Sequence, residues 1–267
     1  GGDATFQGRP LKLDPYYIAE REVTVSDFRE FTSNSSYYTE AEQGGGSLVF
    51  PKRSAWAEFW SGRKEDFRSN ASWRNPYMNQ TESHPVVCVS FVDAVNFCNW
   101  LSTKEGYKPC YSFHKGKISC NWKANGYRLP TEAEWEWAAA GASDYGSSPS
   151  KASEYKKIAW YKGNTKFNTK PVMKKRPNAM GLYDMIGNVF EWCWDRHSND
   201  IPDKLTDNYH GPISGNYRCI RGGSWYTSTN KLDYKVRTRN GWIKNNDSIV
   251  LSSSSFIGFR VVRGDKG

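Results

Sequence analysis

The sequence predicts an α+β fold with limited regular structure, and three observations predict it. Aromatic residues fill 15% of the 267 positions, with twelve Trp beside modest Leu and Ile, so large side chains pin irregular chain. Two segments carry apolar residues at helical spacing directly behind a capping signal. The remaining apolar stretches are short and strand-sized, consistent with small antiparallel sheets.

Residues 11 to 25 read as a strand, with Leu11-Lys12-Leu13 and Tyr17-Ile18-Ala19 on either side of a turn at Pro15. Glu22-Val23-Thr24-Val25 leads into a helix from Asp27 to Ser33, with Ser26 as its predicted N-cap and Phe28 and Phe31 on one face. Residues 40 to 84 read as an irregular insertion pinned by Trp56, Phe59, Trp60, Phe67 and Trp73. Pro85 to Val89 is a predicted short strand. Ser90 caps a second helix with Asp93 at its third position, and Phe91, Ala94, Val95, Cys98 and Leu101 recur along it. Residues 106 to 126 predict a hairpin around Gly116. Thr131 and Glu134 form a capping box, and Gly141 ends that helix. Glu132 and Glu136 stand four apart on it; with no nucleophile or metal ligand nearby in sequence, they read as capping and surface charge. Residues 142 to 178 are polar and loop-like. Gly181 to Asp195 passes through a Gly187-Asn188 turn into an aromatic strand. Length alone allows one large domain or two small ones.

Composition narrows the function. The net charge of +9 comes from scattered Lys and Arg, whose densest cluster is Lys174-Lys175-Arg176. Without a basic track or a zinc-finger, helix-turn-helix or RNA-binding motif, nucleic-acid binding is not expected. No apolar run reaches the length of a membrane span. No leader is visible at Gly1, which fits either a cytosolic chain or a trimmed mature form. Six cysteines without a CxxC argue against zinc. Cys110 with Cys120, and Cys193 with Cys219, are candidate disulfides in an oxidising compartment, and Cys98 reads as a small buried hydrophobe. His84, His114, His197 and His210 are widely spaced and form no predicted site.

The last fifth of the chain differs in chemistry from the rest. It opens on Arg221-Gly222-Gly223-Ser224-Trp225 and closes on Ile257-Gly258-Phe259-Arg260-Val261-Val262. Between these lie Tyr226, Thr227, Ser228, Thr229, Asn230, Tyr234, Asn240, Trp242, Lys244, Asn245 and Asn246, followed by Ser252 to Ser255. Rigid aromatics mixed with Ser and Asn suit an adaptable recognition surface. The stretch reads either as a long solvated loop or as a ligand-binding region over residues 219 to 263, in which Trp242 and the two tyrosines would be contact anchors and Asn and Ser hydrogen-bonding groups. Arg237 and Arg239 share one face of a predicted strand and read either as salt-bridged scaffold or as ligand contacts.

The motifs "YRLPTEAEWEWAAAG", "GLYDMIGNVFEWCWD", "RGGSW" and "GFRVVR", together with the earlier "VSFVDAVNFCNWLS", resemble in order the formylglycine-generating-enzyme and sulfatase-modifying-factor domain. The resemblance covers about residues 10 to 263. It implies a single C-type-lectin-like α+β domain over residues 10 to 263, with two main helices and small antiparallel sheets. In the enzymes of the family, two cysteines after the RGGS motif bind copper and react with substrate. The matching positions here are Thr227 and Leu232, and neither supplies the thiolate that copper(I) prefers. The helical iron-binding domain of the related sulfoxide synthases is also not expected. The oxidase chemistry is thus expected to be absent.

The same resemblance extends to variable proteins of diversity-generating retroelements, which close with a segment like residues 257 to 263. It implies a non-enzymatic, surface-displayed binder whose C-terminal region is diversified through adenine-rich codons, such as those of Asn. On this implication the chain is a mature lipoprotein and a monomer, and its partner is an unidentified protein or surface ligand. An oxidase or pseudo-enzyme, and a structural subunit of a surface or secretion apparatus, are the alternatives the resemblance leaves open. It also implies a structural calcium held by the Asp184 and Glu191 carboxylates and the Gly187 and Val189 carbonyls. Oxygen-only ligation of that kind suits calcium.

Overall fold

The computed structural model describes residues 1–50, 66–141, 152–198, 200–228 and 253–265. Trp56, Phe59 and Trp60 lie outside the described residues, as do Thr229, Asn230, Leu232, Tyr234, Arg237, Arg239, Asn240, Trp242, Lys244, Asn245 and Asn246.

Local capping chemistry sets the helices. In α1 (Val25–Ser35) the Thr24 hydroxyl accepts from the Asp27 amide at 3.2 Å, and the Asp27 carboxylate accepts from the Thr24 amide at 2.8 Å. The N-cap is therefore Thr24 rather than Ser26, because Asp27 sits at the third helical position counted from Thr24 and closes the box. In α2 (Phe91–Lys104) Ser90 and Asp93 form the same reciprocal pair, as expected. α3 (Glu132–Ala139) opens on the Thr131–Glu134 box, and Gly141 follows it with φ +74°. A fourth helix, α4 (Ala152–Ile158), lies in what the sequence suggested was loop.

The strands form small sheets. β1 (Gly2–Phe6) pairs with β2 (Arg9–Leu13), and β4 (Ser47–Val49) with β5 (Asp66–Arg68). β6 (Tyr111–His114) and β7 (Lys117–Cys120) make the expected hairpin, turning at Lys115 and Gly116, both with positive φ. β3 (Tyr16–Ile18), β12 (Val262–Gly264) and β8 (Tyr127–Arg128) make one three-stranded sheet, which joins the two ends of the chain. β9 (Phe190–Arg196) is the centre of another, antiparallel to β10 (Arg218–Arg221) and parallel to β11 (Ile257–Gly258). The result is the mixed α+β architecture that the sequence predicts.

Several expectations change. Residues 11 to 25 are interrupted after Leu13 and again after Ile18, so they hold the end of one strand, the whole of a second and a helix start. Pro85 to Val89 is fully enclosed but makes only an isolated bridge to Thr24, since its groups bond outward: the Cys88 amide to Ser254 and the Val86 amide to Val23. Of the insertion's pins, Trp73 is 2% exposed, whereas Phe67 is 41% exposed. All six cysteines are free thiols. The hairpin register pairs Tyr111 with Cys120, so Cys110 sits one position out of register with Cys120. Cys219 falls at the register shift between Arg218 and Ile220, and its thiol donates to Glu132 at 3.3 Å.

The core is aromatic and lies under α1 and α2. Phe28 packs against Phe31 and Trp73 with ring centroids 5.3 Å apart, and Phe97 meets Phe259 at 5.3 Å. Phe259 is fully buried, so the closing "GFR" motif is anchored in the centre of the protein.

Candidate ligand-binding face

The site is built where the chain leaves β10 and where it returns to β11. After Arg221 the backbone turns through Gly222 (φ +97°) and Gly223 (φ +80°). A Cβ on Gly222 would lie 3.2 Å from the Trp135 ring, so both its conformation and its surroundings call for glycine. Arg221 is fully buried. It forms ion pairs with Glu136 and, at 3.6 Å, with Glu132. The two glutamates are therefore not surface charge. They are held inside by the RGGSW arginine, which lies 85 residues from Glu136 in the chain. Gln7 completes the cluster, its side-chain amide donating to Glu136 at 2.7 Å.

Trp225 ties the outgoing and returning segments together. It is fully buried. Its amide donates to the Asn188 carbonyl at 2.7 Å, and its indole nitrogen to the Ser255 carbonyl at 2.9 Å. The returning serines are frame rather than recognition surface: Ser253, Ser254 and Ser255 are all buried. Ser255 donates its amide to the Leu48 carbonyl at 2.8 Å, and the Ser253 carbonyl accepts from the Leu48 amide at 3.2 Å. β11 then fits tightly, since a Cβ on Gly258 would lie 2.5 Å from the Val86 carbonyl oxygen.

Of the eleven predicted contact residues, Tyr226, Thr227 and Ser228 are described. They follow Trp225 directly and are partly exposed. Tyr226 rests against Phe50, with ring centroids 4.4 Å apart. The Thr227 hydroxyl accepts from the Ser224 amide at 2.9 Å and lies 3.3 Å from the Ser224 hydroxyl, closing the turn that Ser224 opens. At the position of the family's first copper-binding cysteine, this chain thus carries a turn-forming hydroxyl.

The residues expected to hold calcium are all described. Glu191 is fully buried. Arg260 donates to its two oxygens at 2.7 Å each, and the Trp135 indole adds a third bond at 2.7 Å. A carboxylate neutralised in this bidentate way does not fit the part of a calcium ligand. Asp184 uses one oxygen to accept from the Met173 amide at 2.8 Å, while its Oδ1 is buried with no hydrogen-bond partner. Burial pushes the Asp184 carboxyl up to about 6. Glu22, buried beside Asp184 and Glu191, is raised well above the carboxylate range by burial and then by its two acidic neighbours. The Gly187 amide donates to the Gly222 carbonyl at 2.8 Å, so the 184–191 turn packs against the RGGSW turn. Among the described residues, no group of three or more His, Cys, Asp or Glu is placed to hold a metal ion. Of the four expected ligands, the Glu191 carboxylate is thus taken up by Arg260, while the Asp184 Oδ1 has no hydrogen-bond partner.

The Asp184–Glu191 segment, the Arg221 turn and Arg260 were legible from the motifs. Asn188 was missed as a structural hub. Its side-chain oxygen accepts from the Lys170 amide at 3.0 Å, and its amide group donates to Glu22 at 2.8 Å. Those partners lie far off in the sequence, and only the positive φ invited by a Gly-Asn pair hinted at the position.

Comparisons with known proteins agree with this geometry. The family model described as "Sulfatase-modifying factor enzyme 1-like domain" matches residues 3–265. The chain is 31% identical to the formylglycine-generating enzyme of Mus musculus over 97% of its own length and 68% of that protein's. It is 33% identical to the chaperone protein LppX of Paenibacillus barcinonensis over 60% of the chain and 65% of that protein. The chain thus spans about two-thirds of the length of these relatives. Among solved structures it is similar to Treponema denticola variable protein 1, with a TM-score of 0.72 and 29% identity over 99% of this chain and 91% of that one. PvdO from Pseudomonas aeruginosa superposes with a TM-score of 0.63 at 25% identity, covering 98% and 82% of the two chains. With its motifs, its ion-paired core and a family match spanning nearly its whole length, this chain belongs to the sulfatase-modifying factor enzyme 1-like family.

Proposed function

We propose that this protein is a non-enzymatic ligand binder whose contact face is the stretch Tyr226 to Asn246, diversified by a retroelement and displayed at the cell surface on a mature lipoprotein. The reading rests on one observation: Trp225, at the end of the outgoing turn, is held by its backbone amide on the Asn188 carbonyl, and its buried indole donates to the Ser255 carbonyl of the returning segment. Side chains between two ends fixed in this way can change while the core keeps its packing. Thr227 supports the non-enzymatic half, because its hydroxyl closes a turn where the family's enzymes carry a metal-binding thiol. Leu232, at the second cysteine position, is an aliphatic side chain without a donor atom. The likeness to Treponema denticola variable protein 1 supports the binding half. The partner is an unidentified protein or surface ligand, and no cofactor takes part.

Deep sequencing of the gene segment for residues 219 to 263, across a population of source cells, tests this reading. Substitutions concentrated at 226 to 246, with Arg221 to Ser224 and Gly258 to Val262 constant, are the expected outcome. One uniform sequence would remove the retroelement from the account.

A further inference from the structure

Residues 161–170 form a shelf beside the last described residues of the contact face. The Tyr161 amide donates to the Asn164 side chain at 2.8 Å, closing the first turn. The Lys162 amide donates to the Thr227 carbonyl at 3.0 Å, and the Thr165 hydroxyl to the Trp225 carbonyl at 2.9 Å. At the far end the Lys170 amide bonds to Asn188, and the Thr169 hydroxyl lies 2.8 Å from the His84 ring nitrogen. Lys166 (φ +52°) and Phe167 (φ +59°) are consecutive left-handed residues without a glycine. Such backbone persists where its surroundings over-determine it, and it gathers at functional sites.

Three cations stand on this shelf. Lys162 and Lys166 are exposed, and Lys170 is half-buried. The Lys162 ammonium lies 5.3 Å from the centre of the Tyr226 ring, and the Phe167 ring is 6.5 Å from the same ring. Some surface cations have carboxylate partners, as Lys104 has Glu30 and Arg74 has Glu42. Among the described residues none of the three shelf lysines forms an ion pair. Burial, and after it the neighbouring Lys166, holds the Lys170 ammonium below its ordinary range. The backbone that carries the charges is already ordered, so a ligand need not supply the entropy of fixing it.

We propose that this shelf is a constant, cationic half of the contact face and that it takes an acidic protein segment. Carboxylates of the segment meet Lys162, Lys166 and Lys170, and an apolar side chain between them seats on Tyr226 and Phe167. The proposal rests on the reading that Tyr226 opens the contact face. A short acidic segment fits better than a nucleic acid, which needs a longer basic track with stacking positions along it. It also fits better than a sulfated glycan or phosphate group, which brings no apolar side chain for Tyr226 and Phe167.

The test uses the whole chain and a fluorescein-labelled peptide alternating Glu with Leu, read by anisotropy. Its Gln-for-Glu analogue and a heparin-derived oligosaccharide serve as competitors. The variant Lys162→Gln/Lys166→Gln/Lys170→Gln is compared with Lys12→Gln/Lys117→Gln/Lys123→Gln, which removes equal charge from exposed sites elsewhere. Saturable binding of the Glu peptide is expected, weakened by about tenfold or more in the shelf variant and by less than about twofold in the control. Equal weakening in both variants, no saturable binding, or stronger competition by the heparin fragment than by unlabelled Glu peptide would each overturn the proposal. A sibling chain differing only within 229–246 should keep the lysine-dependent share of binding. Failure here with clustered substitutions in the sequencing leaves a diversified face without a cationic shelf; success here with a uniform sequence leaves the shelf standing and removes the diversification.

Discussion

Arg260 and Glu191 show what a single pair contributes. Both are fully buried, 69 residues apart in the chain, and each satisfies the other bidentately. Arg260 also donates to the Ala19 and Tyr183 carbonyls. Removing one partner leaves an uncompensated buried charge, so Arg260→Met should destabilise by about 3–5 kcal/mol in urea unfolding. His84 gives a second residue-scale test. Burial and Lys170 hold its pKa down to about 4. The folded state therefore binds fewer protons than the unfolded one between about pH 6.5 and 4, and stability is lost as pH falls through that window. Replacing it removes this term, so the melting temperature of His84→Gln should fall less between pH 7 and pH 4 than that of the unsubstituted protein. The carboxyls raised by burial, Asp184 and Glu22, titrate in both proteins and cancel in the comparison.

At the scale of elements, the helix starts carry the most legible signals. Ser90 with Asp93, and Thr131 with Glu134, are visible because the box is local and three residues long. α1 was misjudged by two residues. Ser26 precedes an acidic residue and resembles a cap, yet the reciprocal bonds run between Thr24 and Asp27. The structure predicts that Thr24→Ala costs about 1 kcal/mol, whereas Ser26→Ala stays within about 0.5 kcal/mol, both read from denaturant midpoints. Glu132 and Glu136 were misread for a different reason: helical spacing says which face two carboxylates share, not what covers it. Arg221 covers it, and a contact so distant in sequence leaves no periodic trace. The serines at 253–255 mislead in the same way, since composition suggests a solvated surface while their backbone bonds to Leu48 and Cys88 bury them. The shelf at 161–170 looked like featureless polar chain because its order comes from Thr227, Trp225, Asn188 and His84.

Over the whole molecule, the fold class followed from composition and the ordered motifs, and the aromatic core followed from the same residues. The proposed contact stretch was legible at its edges. RGGSW and GFRVVR frame it, and the structure supplies the reason: Trp225 and Phe259 are fully buried anchors on either side of the contact stretch. In the expected calcium set, the Glu191 carboxylate is taken up by Arg260, a contact that the motif alone could not reveal. It follows that the melting temperature should be unchanged by EDTA within about 1 °C; a fall of several degrees that calcium restores would return the ion to the account. The central claim is that the frame keeps its stability while the contact stretch changes. Its most direct measurement is a surface-displayed library randomised at Tyr226, Ser228, Thr229, Asn230, Tyr234, Asn240, Trp242, Lys244, Asn245 and Asn246, scored for protease resistance. Most members should resist protease as the parent does, while the same library carrying Trp225→Ala, at a cost of about 3–5 kcal/mol, should not. If only parent-like sequences at those ten positions survive, the stretch is itself part of the core, and the account is wrong.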